Sequence, residues 1–135
     1  PETQVVLPML ETDIIDIMEA IWDEKLDELD IKWKNGACAC VVMASGGYPK
    51  KYATGIEING LDEKGQVENA FVYHAGTKYS DGKFLTSGGR VLGVTSNGSN
   101  LQEALDKAYD AVGKISFENA HFRKDIGKKA LAAMK

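Results

Sequence analysis

Eight consecutive apolar residues, Ala37-Cys-Ala-Cys-Val-Val-Met-Ala44, are bounded by Gly36 on one side and Ser45-Gly46-Gly47 on the other. The run is too short for an ordinary helix and too apolar for a strand with one wet face, so it predicts a strand buried on both faces. A fold around such a strand needs a cover on each side of its sheet. The rest of the chain supplies candidates. Between Thr12 and Leu29 the apolar residues Ile14, Ile15, Met18, Ile21, Trp22, Leu26 and Leu29 form one stripe at helical spacing, with Thr12 or Asp13 as the cap. A shorter helix is expected over residues 2–10, restricted by Pro8. A helix over 101–115 carries Leu101, Ala104, Leu105, Ala108, Val112 and Ile115 on one face, with Asn100 and Glu103 as a capping pair. A short basic helix over 126–134 follows an irregular stretch from 116 to 125.

Between the helices the pattern is extended. A weaker strand is expected over 52–58, and a strand over 90–95 ends at Asn97-Gly98. Residues 71–75 and 84–86 read as a hairpin around Ser80-Asp81-Gly82-Lys83, because Asp-Gly supplies the positive dihedrals of a tight turn. Helix, strands, then helices is an α+β order, an antiparallel sheet or meander packed by helices.

Charge divides the chain. Residues 1–30 hold ten acids and one base, Lys25, although the whole chain carries 20 acids against 16 bases. The acidic stretch is therefore expected to be a separable unit, and residues 31–135 a domain of their own. An opening on Pro1 that runs straight into helical residues is expected of an excised segment. Nothing in the sequence has the length and apolarity of a membrane span or the pattern of a signal peptide, so a soluble, cytoplasmic protein is expected. The scattered lysines and negative charge argue against nucleic acid as a partner. Cys38 and Cys40 have no second pair with which to hold zinc and are read as reduced core residues.

Three glycine-flanked polar segments carry what chemistry the sequence offers: Ser45-Gly46-Gly47-Tyr48-Pro49, His74-Ala75-Gly76-Thr77 and Ser87-Gly88-Gly89-Arg90. Each alone is an ordinary tight turn. Together they are the material of an anion-binding loop, since glycine lets the main chain approach a ligand closely. Arg90 stands out because the chain has fourteen lysines and only two arginines, Arg90 and Arg123. A planar guanidinium binds phosphate or carboxylate through two bonds, which lysine does not reproduce; the other reading is a structural ion pair. His74, with no triad or metal spacing around it, reads as structural.

The ordered set of motifs resembles the glycinamide ribonucleotide synthetase family. Pro1-Glu2-Thr3-Gln4 is similar to the tail of the signature that ends its ATP-grasp domain. The segments 42–49, 73–78, 88–95 and 122–127 are similar, in the same order, to motifs of its C-terminal domain. The resemblance implies a ligase of purine biosynthesis in which ATP phosphorylates glycine and the amine of phosphoribosylamine attacks the acyl phosphate. It implies a fold like the C-terminal domain of ATP-grasp ligases of the biotin-carboxylase type, with residues 1–30 as the tail of the preceding domain. ATP and Mg would be bound by upstream domains, and this segment, with no catalytic residue or metal ligand of its own, would be inactive alone. Arg90 would contact the ribose phosphate, with Gly88, Gly89, Ser45, Gly46, Gly47 and Tyr48 lining the pocket and Glu2, Arg123 and Asp125 at its edge. Two other readings stay open: a self-contained module for a phosphorylated small molecule, and a domain that only braces the ligase.

Overall fold

The computed structural model describes residues 2–134; Pro1 of the quoted signature and Lys135 at the end of the expected second domain lie outside the described residues. The apolar run is strand β1 (Ala37–Ala44), and most of it is buried, as its composition requires. Its partner is β5 (Arg90–Gly98), paired antiparallel from Ala37 opposite Gly98 to Met43 opposite Leu92, with a register shift before Ala44. On the other edge of β5 lies β2 (Phe71–His74), with Val72 opposite Val94. The last strand in sequence is therefore the central one, in the order β1-β5-β2. This corrects the expected meander. Val91, Leu92 and Val94 are at most 1% exposed, and only a central position buries neighbours on both faces of a strand.

The hairpin is also repartnered. β3 (Thr77–Ser80) and β4 (Lys83–Thr86) form a separate two-stranded sheet with Ser80 opposite Lys83, joined by Asp81 (φ 52°) and Gly82 (φ 78°). The turn was rightly placed, but a two-residue loop joins only strands that abut it, so 77–80 pairs with 83–86 and 71–74 is left to β5. Residues 52–58 run extended beside β4 through Gly55 N–H to Thr86 O (2.6 Å) and Ile58 N–H to Phe84 O (2.8 Å). They make no regular strand, because Gly55 takes a left-handed φ of 79° in the middle of the segment.

Residues opposite one another in a ladder share a face. Ala39, Val41, Met43, Leu92, Val94 and Val72 thus point one way, into a core closed by α3 (Leu101–Lys114) with Ala104, Leu105, Ala108, Ala111 and Val112. Cys38, Cys40, Val42, Gly93, Thr95 and Tyr73 point the other way, where α1 (Thr3–Met9) lies across β1 and β5. α1 is too short to cover that face, and the uncovered part becomes a groove. The helix expected over 12–29 stops early as α2 (Ile14–Trp22), since Glu24 turns left-handed (φ 57°) and Leu26–Glu28 form a single 3-10 turn. No α2 side chain is buried, and Trp22 is 87% exposed. The basic terminal helix is α4 (Lys128–Ala133).

The start of α3 shows how local sequence fixes an element. Asn100 Oδ1 accepts from Glu103 N–H (3.0 Å), while Glu103 Oε2 accepts from Ser99 N–H (2.7 Å) and Oε1 pairs with Lys107 (2.7 Å). The return bond of the cap lands one residue upstream of Asn100. Hydrogen bonding from Lys107 and then Ser99 holds the Glu103 carboxyl down at about 2, from an ordinary 4.5. A group whose folded pKa is depressed contributes stability that is complete above its unfolded value and is lost as pH falls through the folded one. Acid titration should therefore erode the α3 cap between pH 4.5 and about 2, and the unfolding curve of Glu103→Gln should be flatter across that window than that of the parent chain.

Cys40 is 7% exposed, whereas Cys38 is only half-buried, so the expectation of two core thiols holds in full for Cys40 alone. Cys38 lies at the margin of α1, its Sγ 4.0 Å from Gln4 O. Burial raises both thiols above their ordinary range. Slow labelling at neutral pH follows for both, since the thiolate is the reactive form. Mass spectrometry should find Cys38 modified before Cys40; the reverse order would contradict this packing.

Candidate functional site

The three glycine-flanked segments singled out from the sequence meet at one end of the sheet. Ser45 N–H donates to Gly89 O and Ser45 Oγ to Gly88 O, both at 2.8 Å. From the other side, Gly76 N–H donates to Arg90 O (2.8 Å) and Ser87 N–H to Gly76 O (2.7 Å). The glycines permit this knitting. A side chain on Gly76 would sit 2.6 Å from Arg90 O and 2.6 Å from Gly88 Cα, and one on Gly89 would collide with the Tyr48 ring. Glycine here brings backbone against backbone and ring.

What the knot leaves open is a cavity of about 490 Å³ on the α1 side of the sheet. It is bordered by Val42 and Gly93 of the sheet, by Tyr73, His74, Ala75 and Gly76, by Gln4 of α1 packed beside Gly93, and by Tyr48, Gly89 and Arg90. Arg90 is exposed. Among the described residues its guanidinium makes no ion pair and no side-chain hydrogen bond, so the structural-pair reading is not realised. A cation with five donors and no partner at the edge of a groove is suited to an incoming anion.

The other candidates are placed as follows. Gly89 and Tyr48 line the cavity with Arg90. Gly88 lies behind them against Gly76, and Ser45, 2% exposed, spends its hydroxyl on Gly88 O. Gly46 packs on Asn119, and Gly47 (φ 92°) faces the Lys51 carbonyl. These three hold the loop that presents Tyr48 rather than the wall itself. Glu2 is exposed at the N-cap of α1, outside the wall. Arg123 donates two bonds to Asp125 (2.9 and 2.8 Å), which raises the arginine and lowers the carboxyl, and neither residue borders the cavity. The chain's two arginines thus differ in kind, one self-paired and one free.

His74 is structural. Gly65 O (2.8 Å) can only accept, so Nε2 carries a proton, and Nδ1 is hydrogen-bonded to the Thr77 hydroxyl (2.9 Å). Tyr73 is neutral, its phenol pushed up by burial and then by the nearby Cys38 and Cys40. Sequence reasoning missed the lining residues Val42, Tyr73, Leu92 and Gly93, and with them Gln4. Gln4 stands in the very motif Pro1-Glu2-Thr3-Gln4, but only the fold shows that its side chain reaches the cavity.

A second cavity of about 570 Å³ lies between the end of α1 and residues 69–73. Its cations are engaged, Lys34 donating to Pro8 O (3.0 Å) and Lys107 pairing with Glu103. The Arg90 cavity is therefore the better anion site. Among the described residues no group of three or more His, Cys, Asp or Glu gathers as a metal would need, and no helix is long and apolar enough to cross a membrane.

Fold and cavity together define an α+β domain in which, among the described residues, an arginine without an ion-pair partner stands at the edge of a groove. Residues 38–129 match the family described as "Phosphoribosylglycinamide synthetase, C domain". The chain belongs to this family. It is 50% identical over 126 residues to the phosphoribosylamine–glycine ligase of Caldanaerobacter subterraneus, covering 93% of this chain and 30% of that protein. It is 46% identical over 132 residues to the bifunctional purine biosynthetic protein of Dictyostelium discoideum, covering 97% of this chain and 16% of that one. The crystal structure of the Thermotoga maritima phosphoribosylamine–glycine ligase superposes with a TM-score of 0.71 at 30% identity, over 93% of this chain and 30% of the other. The chain thus spans about 30% of the length of several curated relatives that it matches.

Proposed function

We propose that the chain serves as the acceptor-side domain of a phosphoribosylamine–glycine ligase, holding the phosphate of 5-phosphoribosylamine at Arg90 while the other domains activate glycine. The observation that carries the reading is the unpaired Arg90 at the edge of the cavity, in a chain whose relatives are named for that ligation. In the reaction, glycine enters as glycyl phosphate. The amine nitrogen of phosphoribosylamine bonds to the carbonyl carbon, the carbon–oxygen bond to phosphate breaks, and the nitrogen gives up a proton. This chain's part is to bind and orient the amine's carrier, a contribution of position rather than of acid–base chemistry. The described residues do not fit ATP and Mg, for want of a carboxylate cluster beside the cavity, and in this reading both bind upstream. A fold of the biotin-carboxylase-associated C-terminal type and a cytoplasmic location go with the same reading.

Residues 1–30 are read as the tail of the preceding ATP-grasp domain, and that domain as the partner of the bare apolar stripe. Ile15, Met18 and Ile21 are each more than half exposed on α2, an arrangement that a folded chain rarely leaves in water. Fusing this chain to the first two thirds of the Caldanaerobacter ligase should restore turnover that the truncated ligase lacks, and Trp22 emission should shift to the blue relative to the free chain. A fusion that folds yet stays inactive overturns the functional reading. An unshifted Trp22 overturns the placement of α2.

A further inference from the structure

The inner side of α1 carries an unexplained polar residue. Gln4 is half-buried, turned toward the sheet, and its Cγ lies 3.9 Å from where a side chain on Gly93 would begin. Among the described residues its side-chain amide makes no hydrogen bond, although its backbone carbonyl receives the Cys38 thiol. Helix residues that face a sheet are normally apolar, and the amide of this one is left open to the cavity. Gly93 is equally unusual. It sits in the middle of the central strand, between Val42 and Tyr73, where glycine weakens pairing and most often marks a close approach. The two features meet: the stem of Gln4 takes the space left by the missing side chain of Gly93, and both border the cavity that holds Arg90.

We propose that Gln4 is a specificity-determining residue of this cavity: its amide hydrogen-bonds the pentose hydroxyls of a pentose 5-phosphate whose phosphate lies at Arg90. The proposal rests on the reading of Arg90 given above. The chemistry divides cleanly. A guanidinium is matched to a phosphate, whereas a neutral amide, with two donors and an acceptor, is matched to hydroxyls that both give and receive. The lining also includes the neutral Tyr73 ring and the glycine backbone of Gly76, and among the described residues Arg90 is the only lysine or arginine that borders the cavity.

The test uses the intact ligase carrying this domain and two probes, ribose 5-phosphate and inorganic phosphate, each measured as a competitor of phosphoribosylamine. Gln4→Met keeps the length and packing of the side chain and removes its polarity. It should weaken ribose 5-phosphate about 3- to 10-fold, the scale of one or two neutral hydrogen bonds, and leave inorganic phosphate unchanged. Gln4→Glu should weaken both probes, because a carboxylate facing Arg90 would compete with the phosphate. Arg90→Ala should weaken both as well. Equal affinity of parent and Gln4→Met for ribose 5-phosphate, with Arg90→Ala still impaired, overturns the assignment of Gln4 alone. If Arg90→Ala binds both probes normally, the phosphate site itself is misplaced and the proposal falls with it.

Discussion

Arg90→Ala in the intact ligase is expected to raise the KM for phosphoribosylamine about 30- to 150-fold, a loss on the order of 2 to 3 kcal/mol, while the constants for ATP and glycine stay nearly unchanged. The size follows from what the guanidinium has to offer. Arg90 makes no ion pair among the described residues, so nothing internal competes for it and its removal leaves no buried partner unsatisfied. It is exposed in this domain, which places the effect below that of a fully desolvated pair. Arg90→Lys should recover only part of the loss, because a point charge on a flexible stem does not reproduce two parallel N–H donors. An equal rise in all three constants would mean that Arg90 holds the domains together, and no rise in any would remove it from the site.

Arg123 supplies the contrast. Both arginines stand out by rarity in the sequence, but Arg123 already holds Asp125 through two bonds at 2.9 and 2.8 Å. Its pairing two residues away was legible, since Arg123-Lys124-Asp125 puts the partners within reach of each other; that Arg90 has no such neighbour was not. The apolar run of β1, the Asn100 cap of α3 and the Asp81-Gly82 turn could all be read locally, because each is decided by residues within a few positions. Strand order could not. Whether 71–74 pairs with β4 or with β5 is settled by long-range packing, and the local pattern of Phe71-Val72-Tyr73-His74 suits either partner. The same limit hid Gln4, which is distant in sequence from every other wall residue and enters the cavity only because α1 crosses the sheet above Gly93. Ser45 failed in the opposite sense. A hydroxyl beside two glycines has the composition of an anion loop, yet its bond to Gly88 O turns it inward to brace the loop.

That bracing leaves no room for a side chain in the glycine knot. Gly76→Ala is expected to destabilise the domain by about 2 to 3 kcal/mol, the scale of overpacking in a tight interior, and to lower its Tm by roughly 6 to 12 °C. Space rather than dihedral preference is at issue. The added carbon would meet Arg90 O at 2.6 Å, Gly88 Cα at 2.6 Å and Gly88 N at 2.8 Å, all of them backbone atoms that cannot rotate away as a side chain would. The strands must part, and the first bond to stretch is Gly76 N–H to Arg90 O, now 2.8 Å, which sets the direction in which the Arg90 side chain leaves the sheet. Lost stability and a raised KM for phosphoribosylamine should therefore appear together in Gly76→Ala. Gly113→Ala provides the control. That glycine lies inside α3 with nothing within 4 Å of the added carbon, so the same substitution should stabilise the helix by about 0.5 to 1 kcal/mol and leave KM untouched. Opposite signs in thermal unfolding of the two variants would locate the constraint in the contact between Gly76 and Gly88. A Gly76→Ala variant as stable as its parent would show that the two loops have room to separate, and with it that the position of Arg90 does not depend on them.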